Sequence, residues 1–172
     1  METLRLKTLY VLFFIEIGTR RIHVAGCTLK PTAAWVRQQA RQLLWKLQEK
    51  GKQMRFVVHD RDTKFPTNYD VVFASEGIEA ILTPYRAPNA NAYVERWVRR
   101  VREECLDHLL IMNERHLDHV LREYGQYYNR ARPHQGIDQQ IPELPNHPPG
   151  PGPAQRRDIL GGLLHDYFRD AA

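Results

Sequence analysis

The chain has 172 residues, enough for one compact domain plus a tail, and its 42% hydrophobic and 26% charged residues exclude a disordered or fibrous protein. Its formal net charge of +5 favours a polyanionic partner, because cationic side chains displace counterions from phosphates, although many mildly basic domains bind nothing acidic. Two cysteines are too few for a disulfide framework and form no zinc-binding pattern, so free buried thiols are expected.

The first fifty residues predict two strands and a helix. Leu9–Ile15 is almost continuously apolar, which is typical of a strand that is buried on both faces. Gly18 is expected to supply a positive-φ turn into a second strand at Arg21–Gly26, which makes the pair a hairpin. Pro31 opens a helix that runs to about Lys50. Because the apolar run is too short to cross a bilayer, no membrane association and a cytoplasmic location are expected.

The middle of the chain alternates short strands and helices, which predicts a mixed α/β fold with helices packed on a sheet. The expected elements are a strand at Phe56–His59, a helix at Tyr69–Ser75, a strand at Ile78–Leu82, a helix from Asn91 to about Leu110, and a helix that Asn113 caps. The order of elements up to this point is β-β-α-β-α-β-α-α.

The last part of the chain is rich in Pro and Gly between Pro142 and Pro153, which is typical of a linker. We therefore predict a core domain at residues 1–136, a linker at 137–155 and a tail at 156–172. The tail carries a short amphipathic segment.

Two acids stand out, because each follows or begins a predicted element. Asp60 comes directly after the strand Phe56–His59, where α/β proteins place ligands and metals. Glu95 lies about 100° around its helix from the apolar stripe, at the border of the buried face. Carboxylates in such places hold divalent cations for phosphoryl chemistry. The alternatives are a turn-forming Asp60 and a Glu95 that merely pairs with Arg99.

Basic and amide side chains surround Glu95. An arginine cluster there suits a phosphodiester, but an exposed helix face with pairs such as Arg99–Glu103 and Arg100–Glu104 explains it equally well. Arg96 and Arg102 have no acid one turn downstream, which favours a contact with phosphate. The candidate phosphate-binding residues are Arg86, Asn89, Asn91, Arg96, Arg99 and Arg102, the two asparagines being equally suited to forming turns.

Three segments together resemble the DDE catalytic core of retroviral integrases and bacterial insertion-sequence transposases, which is ribonuclease-H-like. They are Asp60-Arg61-Asp62-Thr63-Lys64-Phe65, the stretch from Pro84-Tyr85 to Asn91-Ala92-Tyr93-Val94-Glu95-Arg96, and Tyr128-Asn129-Arg130-Ala131-Arg132-Pro133-His134-Gln135-Gly136. The similarity runs from about the first residues to Gly136.

The resemblance implies metal-dependent 3′-end processing and strand transfer on DNA by a homo-oligomer. Asp60 and Glu95 would be the catalytic, metal-binding acids, with Mg²⁺ or Mn²⁺ as the cofactor. In these cores the first Asp lies several residues upstream of the segment that resembles Met1–Leu4. We therefore expect the sheet to lack its first central strand and the site to lack one acid.

Two further functions remain open. If one metal-binding acid is absent, the chain would be a truncated, catalytically inactive remnant that binds DNA, with little strand transfer and reduced stability. A ribonuclease-H-like nuclease that cleaves RNA–DNA hybrids is the other alternative.

Overall fold

The computed structural model describes residues 1, 3, 7–59, 69–83, 92–145 and 150–170. The strands are β1 (Tyr10–Ile15), β2 (Ile22–Thr28), β3 (Phe56–His59), β4 (Glu79–Leu82), β5 (Gln155–Ile159) and β6 (Leu164–Phe168). The helices are α1 (Ala33–Glu49), α2 (Tyr69–Ala74), α3 (Ala92–Glu104) and α4 (Glu114–Arg130). The predicted order of elements up to α4 is confirmed, and the fold is α/β. No helix within the described ranges is long and apolar enough to cross a membrane.

β1 and β2 form the predicted antiparallel hairpin, from Tyr10 opposite Thr28 to Ile15 opposite Ile22, with an irregularity after Leu12. The positive φ of its turn falls on Arg20, at 64°, and not on Gly18, so the predicted role of Gly18 is wrong. The Arg20 N–H donates to the carbonyl of Glu16, which closes the loop two residues before the second strand starts. The left-handed residue is therefore needed at the end of the turn.

Two hydrophobic clusters cover the two faces of β1. Leu12 and Phe14 pack with α1, α2 and the inner side chains of β3 and β4. Val11, Phe13 and Ile15, on the opposite face, pack against the larger cluster that α3 and α4 build. A strand buried on both faces is what its nearly continuous apolar sequence predicts.

β3 and β4 form a separate parallel pair, with Val57 opposite Ala80. These two side chains point toward α1 and α2. The side chains of Phe56, Val58 and Ile81, on the other face, are 49%, 41% and 39% exposed. One face of this pair is therefore packed and the other is uncovered.

The sheet is divided between β1 and β3. Both strands pack against α1, yet no backbone pairing among the described residues joins them, and they do not approach to the ~4.8 Å spacing of neighbouring strands. β2 covers one edge of β1, and β4 covers one edge of β3. We call this division between β1 and β3 the seam.

The C-terminal part differs from the predicted tail. β5 and β6 form an antiparallel hairpin, with Ile159 opposite Leu164. Leu160 and Leu164 pack on the cluster around α4, and the Leu160 N–H donates to the carboxylate of Glu123 at 2.7 Å. β5 begins with four polar residues, Gln155 to Asp158, and neither strand alternates polar with apolar residues, so the sequence pattern does not identify the hairpin. The division into core, linker and tail remains a prediction.

Candidate active site

Asp60 follows the last residue of β3 but lies outside the described residues, as do Arg86, Asn89 and Asn91. The residue before it is well defined. The His59 ring contacts the Asp70 carboxylate of α2 through Nε2 at 2.8 Å, and its side chain is only 9% exposed. His59 is thus a hydrogen-bonded histidine at the end of a strand.

Glu95 lies in the first turn of α3 with an exposed side chain. None of the hydrogen bonds or ion pairs among the described residues involves it, and the alternative pair with Arg99 is not formed. The partial positive charge at a helix N-terminus favours a carboxylate in this turn. Glu95 therefore offers two unoccupied oxygen acceptors, the type of donor that Mg²⁺ prefers.

The buried face of α3 is turned relative to the predicted stripe. Trp97 and Val101 are buried, whereas Val98 is 38% exposed. The Trp97 ring contacts the Phe13 ring of β1, with 4.1 Å between centroids, and this large contact determines which side of the helix faces the sheet. The indole Nε1 of Trp97 is buried and lacks a hydrogen-bond acceptor within the described part of the chain. Glu95 lies about 120° around the helix from Val101 and about 160° from Trp97, on the exposed side of α3.

The arginines of α3 fall into two groups. Arg96 and Arg99 are exposed, and no described acid pairs with either. Arg100 pairs with Glu104 at 3.3 Å, as predicted. Arg102 was expected to lack an acidic partner, but its Nε lies 3.6 Å from Asp107. This contact is long and exposed, so it stabilises little and leaves Arg102 able to bind phosphate.

One border of the buried face of α3 carries a network that was missed in the sequence. The Glu104 carboxylate accepts hydrogen bonds from Arg132 at 2.6 Å and 3.0 Å and from the Tyr124 hydroxyl at 2.8 Å. Burial raises the pKa of Glu104, but the hydrogen bonds from Arg132 and Tyr124 outweigh it and hold that pKa below its usual value. Burial also raises the pKa of Tyr124. The Glu104 carboxylate and the Arg132 guanidinium are therefore both charged at neutral pH.

Other residues of the Tyr128–His134 motif also make contacts within the chain. The Asn129 side chain accepts a hydrogen bond from the Ile22 N–H and donates one to the Ile22 carbonyl, both at 2.8 Å. These bonds satisfy the backbone polar groups of the first residue of β2. The His134 ring packs against the Tyr128 ring at a tilt of 59°, with 4.2 Å between centroids, and burial lowers the pKa of His134. Arg130 pairs with Glu143 at 3.2 Å. We call Tyr128–His134 the clasp, because its side chains bind other parts of the chain. Its arginines pair with acids that lie far from them in the sequence, which is why these pairs were not predicted.

The other titratable groups do not add a site. Burial raises the pKa of Cys27 to about 11 and that of Cys105 to about 12, so both are the free, buried thiols that were predicted. No group of three or more metal-binding side chains occurs within the described ranges. The metal prediction therefore stays with Asp60 and Glu95.

Known proteins resemble this chain in part of the sequence and in the fold. Residues 76–142 match the model of the integrase core domain, a segment that contains Glu95 and the clasp. An uncharacterized 39.2 kDa protein of insertion element IS476 from Xanthomonas euvesicatoria is 31% identical over 81 residues, which are 46% of this chain and 23% of that protein. The chain thus spans about a quarter of this relative's length.

Two solved structures share the fold. The catalytic core of BIV integrase has a TM-score of 0.60 at 15% identity, covering 83% of this chain and 86% of that one. A simian T-cell lymphotropic virus intasome, solved with a PP2A regulatory subunit, has a TM-score of 0.55 at 13% identity, covering 95% of this chain and 60% of that one. The predicted resemblance to integrase and transposase cores and the ribonuclease-H-like fold are confirmed.

Proposed function

We propose that this chain, with the fold of integrase and transposase cores, is the catalytic-core part of a transposase that cuts and joins DNA. The observation that carries the proposal is Glu95. It is an exposed, unpaired carboxylate in the first turn of α3, next to two arginines that no described acid neutralises. A carboxylate that serves only the surface of a helix would be expected to pair with a basic neighbour one turn away.

Asp60 and Glu95 would hold Mg²⁺ or Mn²⁺, and their oxygen donors suit these ions. The metal ions, when bound, activate the attacking oxygen and stabilise the leaving one. Arg96 and Arg99 would hold phosphates on either side of the scissile bond, and Arg102 would do so once it leaves Asp107. Arg86, Asn89 and Asn91, which precede α3, are proposed as additional DNA contacts. The net charge of +5 supports a polyanionic partner.

The experiment is a cleavage and joining assay with labelled duplexes that carry the ends of the mobile element, in Mn²⁺ and in EDTA. We expect metal-dependent nicking or joining that Glu95→Gln lowers at least about 100-fold, because one metal then loses a ligand. Glu103→Gln is the matched control, since Glu103 is exposed on the same helix and should be neutral. Equal activity of Glu95→Gln and the unaltered chain would refute the assignment. Cleavage of an RNA–DNA hybrid alone would favour the ribonuclease-H-like alternative.

A second candidate is a DNA-binding core without catalytic activity. The formal net charge of +5 and the exposed Arg96 and Arg99, which no described acid pairs with, support it without requiring a metal. In that case the chain binds the duplex with an affinity that falls steeply with salt, but neither nicks nor joins it. Charge-neutral variants of Arg96 and Arg99 would then weaken binding, and Glu95→Gln would not.

A further inference from the structure

We infer that Glu104 and Arg132 are positioning residues, whose ion pair sets the rotation of α3 and thereby the place of Glu95. This inference rests on the proposed function for its consequence in catalysis. Its structural part, the control of α3 by this pair, stands on the geometry alone.

α3 has few apolar attachments for its length. Trp97 and Val101 are its buried residues, and the rest of the helix is rich in charged side chains. Apolar contacts on this one face keep the helix on the sheet, but they resist rolling about the helix axis only weakly. The rotation of α3 must therefore be held by contacts at the sides of the buried face.

Polar contacts hold one side of α3 at both ends. Near the start, the Arg20 guanidinium lies 3.7 Å from the centroid of the Tyr93 ring. At the end, Arg132 binds Glu104 through two nitrogens, and both side chains are mostly buried, 15% and 24% exposed. Tyr93 and Glu104 are about three helical turns apart, so they lie on one stripe. These two contacts attach that stripe to the β1–β2 turn and to the segment after α4.

Glu95 lies on the opposite side of the same helix, about 200° around from Tyr93. A side-chain carboxylate extends about 6 Å from the helix axis, so a roll of 10–20° moves it by roughly 1–2 Å. A displacement of ~1 Å at a catalytic group can lower the rate by about 100-fold. The pair thus acts on Glu95 through the rigid helix, although the two acids are roughly 13 Å apart along the axis.

Arg132 is itself held in place, as a positioning residue must be. Its guanidinium lies 5.8 Å from the centroid of the Tyr128 ring, against which the tilted His134 ring packs. The buried Tyr124 hydroxyl donates to the same carboxylate. The planar guanidinium binds through two parallel hydrogen bonds, which the single ammonium of a lysine cannot reproduce.

The first test is amide hydrogen exchange of the full chain, which needs no activity. We expect Glu104→Gln and Arg132→Gln each to speed exchange of the Arg96–Arg100 amides about tenfold or more, under conditions where the protein remains folded. Arg132→Lys, which keeps the charge and the fold, should give a smaller increase. Asp118→Asn is the matched control, since it breaks the exposed Asp118–Arg122 pair on α4, 2.6 Å, and should leave α3 unchanged.

The second test is the Mn²⁺ dependence of DNA nicking by the same variants. The half-saturating Mn²⁺ concentration should rise and the maximal rate should fall about tenfold or more in Arg132→Lys, with unchanged DNA affinity. A lower melting temperature with unchanged exchange in Arg96–Arg100 would overturn the inference and leave the pair a stabilising contact. If the unaltered chain does not nick DNA, the proposed function fails, and the exchange result still decides whether the pair controls α3.

Discussion

The two sides of the seam are built differently. On one side β1 and β2 pack against α3 and α4, and their apolar side chains form one cluster that is closed by the C-terminal hairpin. On the other side β3 and β4 pack against α1 and α2 on one face only, and leave Phe56, Val58 and Ile81 half exposed on the other. The candidate acids divide along the same line, since Asp60 follows β3 and Glu95 belongs to α3. Catalysis would therefore require the two sides to be held at a fixed position relative to each other, so that Asp60 and Glu95 can bind the same metal site.

The largest difference should appear when side chains are shortened on each side. Leu117 is fully buried in the closed cluster, so Leu117→Ala should lower the free energy of unfolding by about 2–5 kcal/mol through lost burial and a cavity. Val58→Ala, on the uncovered face of β3, should cost less than about 1 kcal/mol. Urea denaturation of the two variants measures both. Similar losses would mean that the face of β3 and β4 is covered in solution.

The clasp should matter nearly as much as the apolar cluster. Asn129→Ala leaves the buried N–H and carbonyl of Ile22 without partners, which should cost about 2–4 kcal/mol. Asn113→Ala removes only the N-cap hydrogen bond of α4 to the His116 N–H and should cost about 1 kcal/mol. Thermal denaturation of the two variants tests this ranking. An Asn129 variant as stable as the cap variant would show that the edge of β2 does not need the clasp.

A smaller and pH-dependent effect should come from Glu16, which joins the two sides. Its carboxylate, at the end of β1, binds Lys52 at 2.8 Å and 3.0 Å, just ahead of β3, and it also contacts His23 at 2.8 Å. Burial raises the pKa of Glu16, but the hydrogen bonds from His23 and Lys52 outweigh this and lower it to about 2.

Because the folded pKa is depressed, the contribution of Glu16 is fully present above its unfolded pKa, near 4.5, and is lost as the pH falls through about 2. We expect about 3 kcal/mol of stability to disappear in this window, and Glu16→Gln to remove that part of the acid dependence. Denaturation between pH 2 and pH 6 measures it. An identical pH profile in the variant would show that Glu16 does not join the two sides.

The elements that local patterns specify were predicted from the sequence. Periodic apolar residues located α1 and α4, and Asn113 caps α4 as expected, accepting from the His116 N–H at 2.9 Å. Gly51, with φ of 65°, ends α1 in the left-handed conformation that glycine adopts without strain. These features depend on residues that are a few positions apart, so the sequence displays them directly.

Where local and distant preferences competed, the sequence was less informative. The helix expected to continue to about Leu110 ends at Glu104, and a short 3₁₀ turn at Leu106–His108 follows. The stripe predicted for α3 was Val94, Val98, Val101, Cys105 and Leu109; Val101 and Cys105 are buried, but Val98 is 38% exposed and Trp97 packs against Phe13 in its place. The partner of Arg102 was overlooked because Asp107 lies beyond the end of the helix.

The sequence by itself therefore determined the order of elements, the resemblance to integrase cores and the two candidate acids, because motif spacing and apolar periodicity are local properties. Only the tertiary structure decided that the sheet is split between β1 and β3, and that residues 155–168 form a docked hairpin. It also decided that Arg132 binds Glu104 instead of a phosphate. These outcomes depend on contacts between residues that are far apart in the chain. Such contacts do not produce a periodic sequence pattern in either segment.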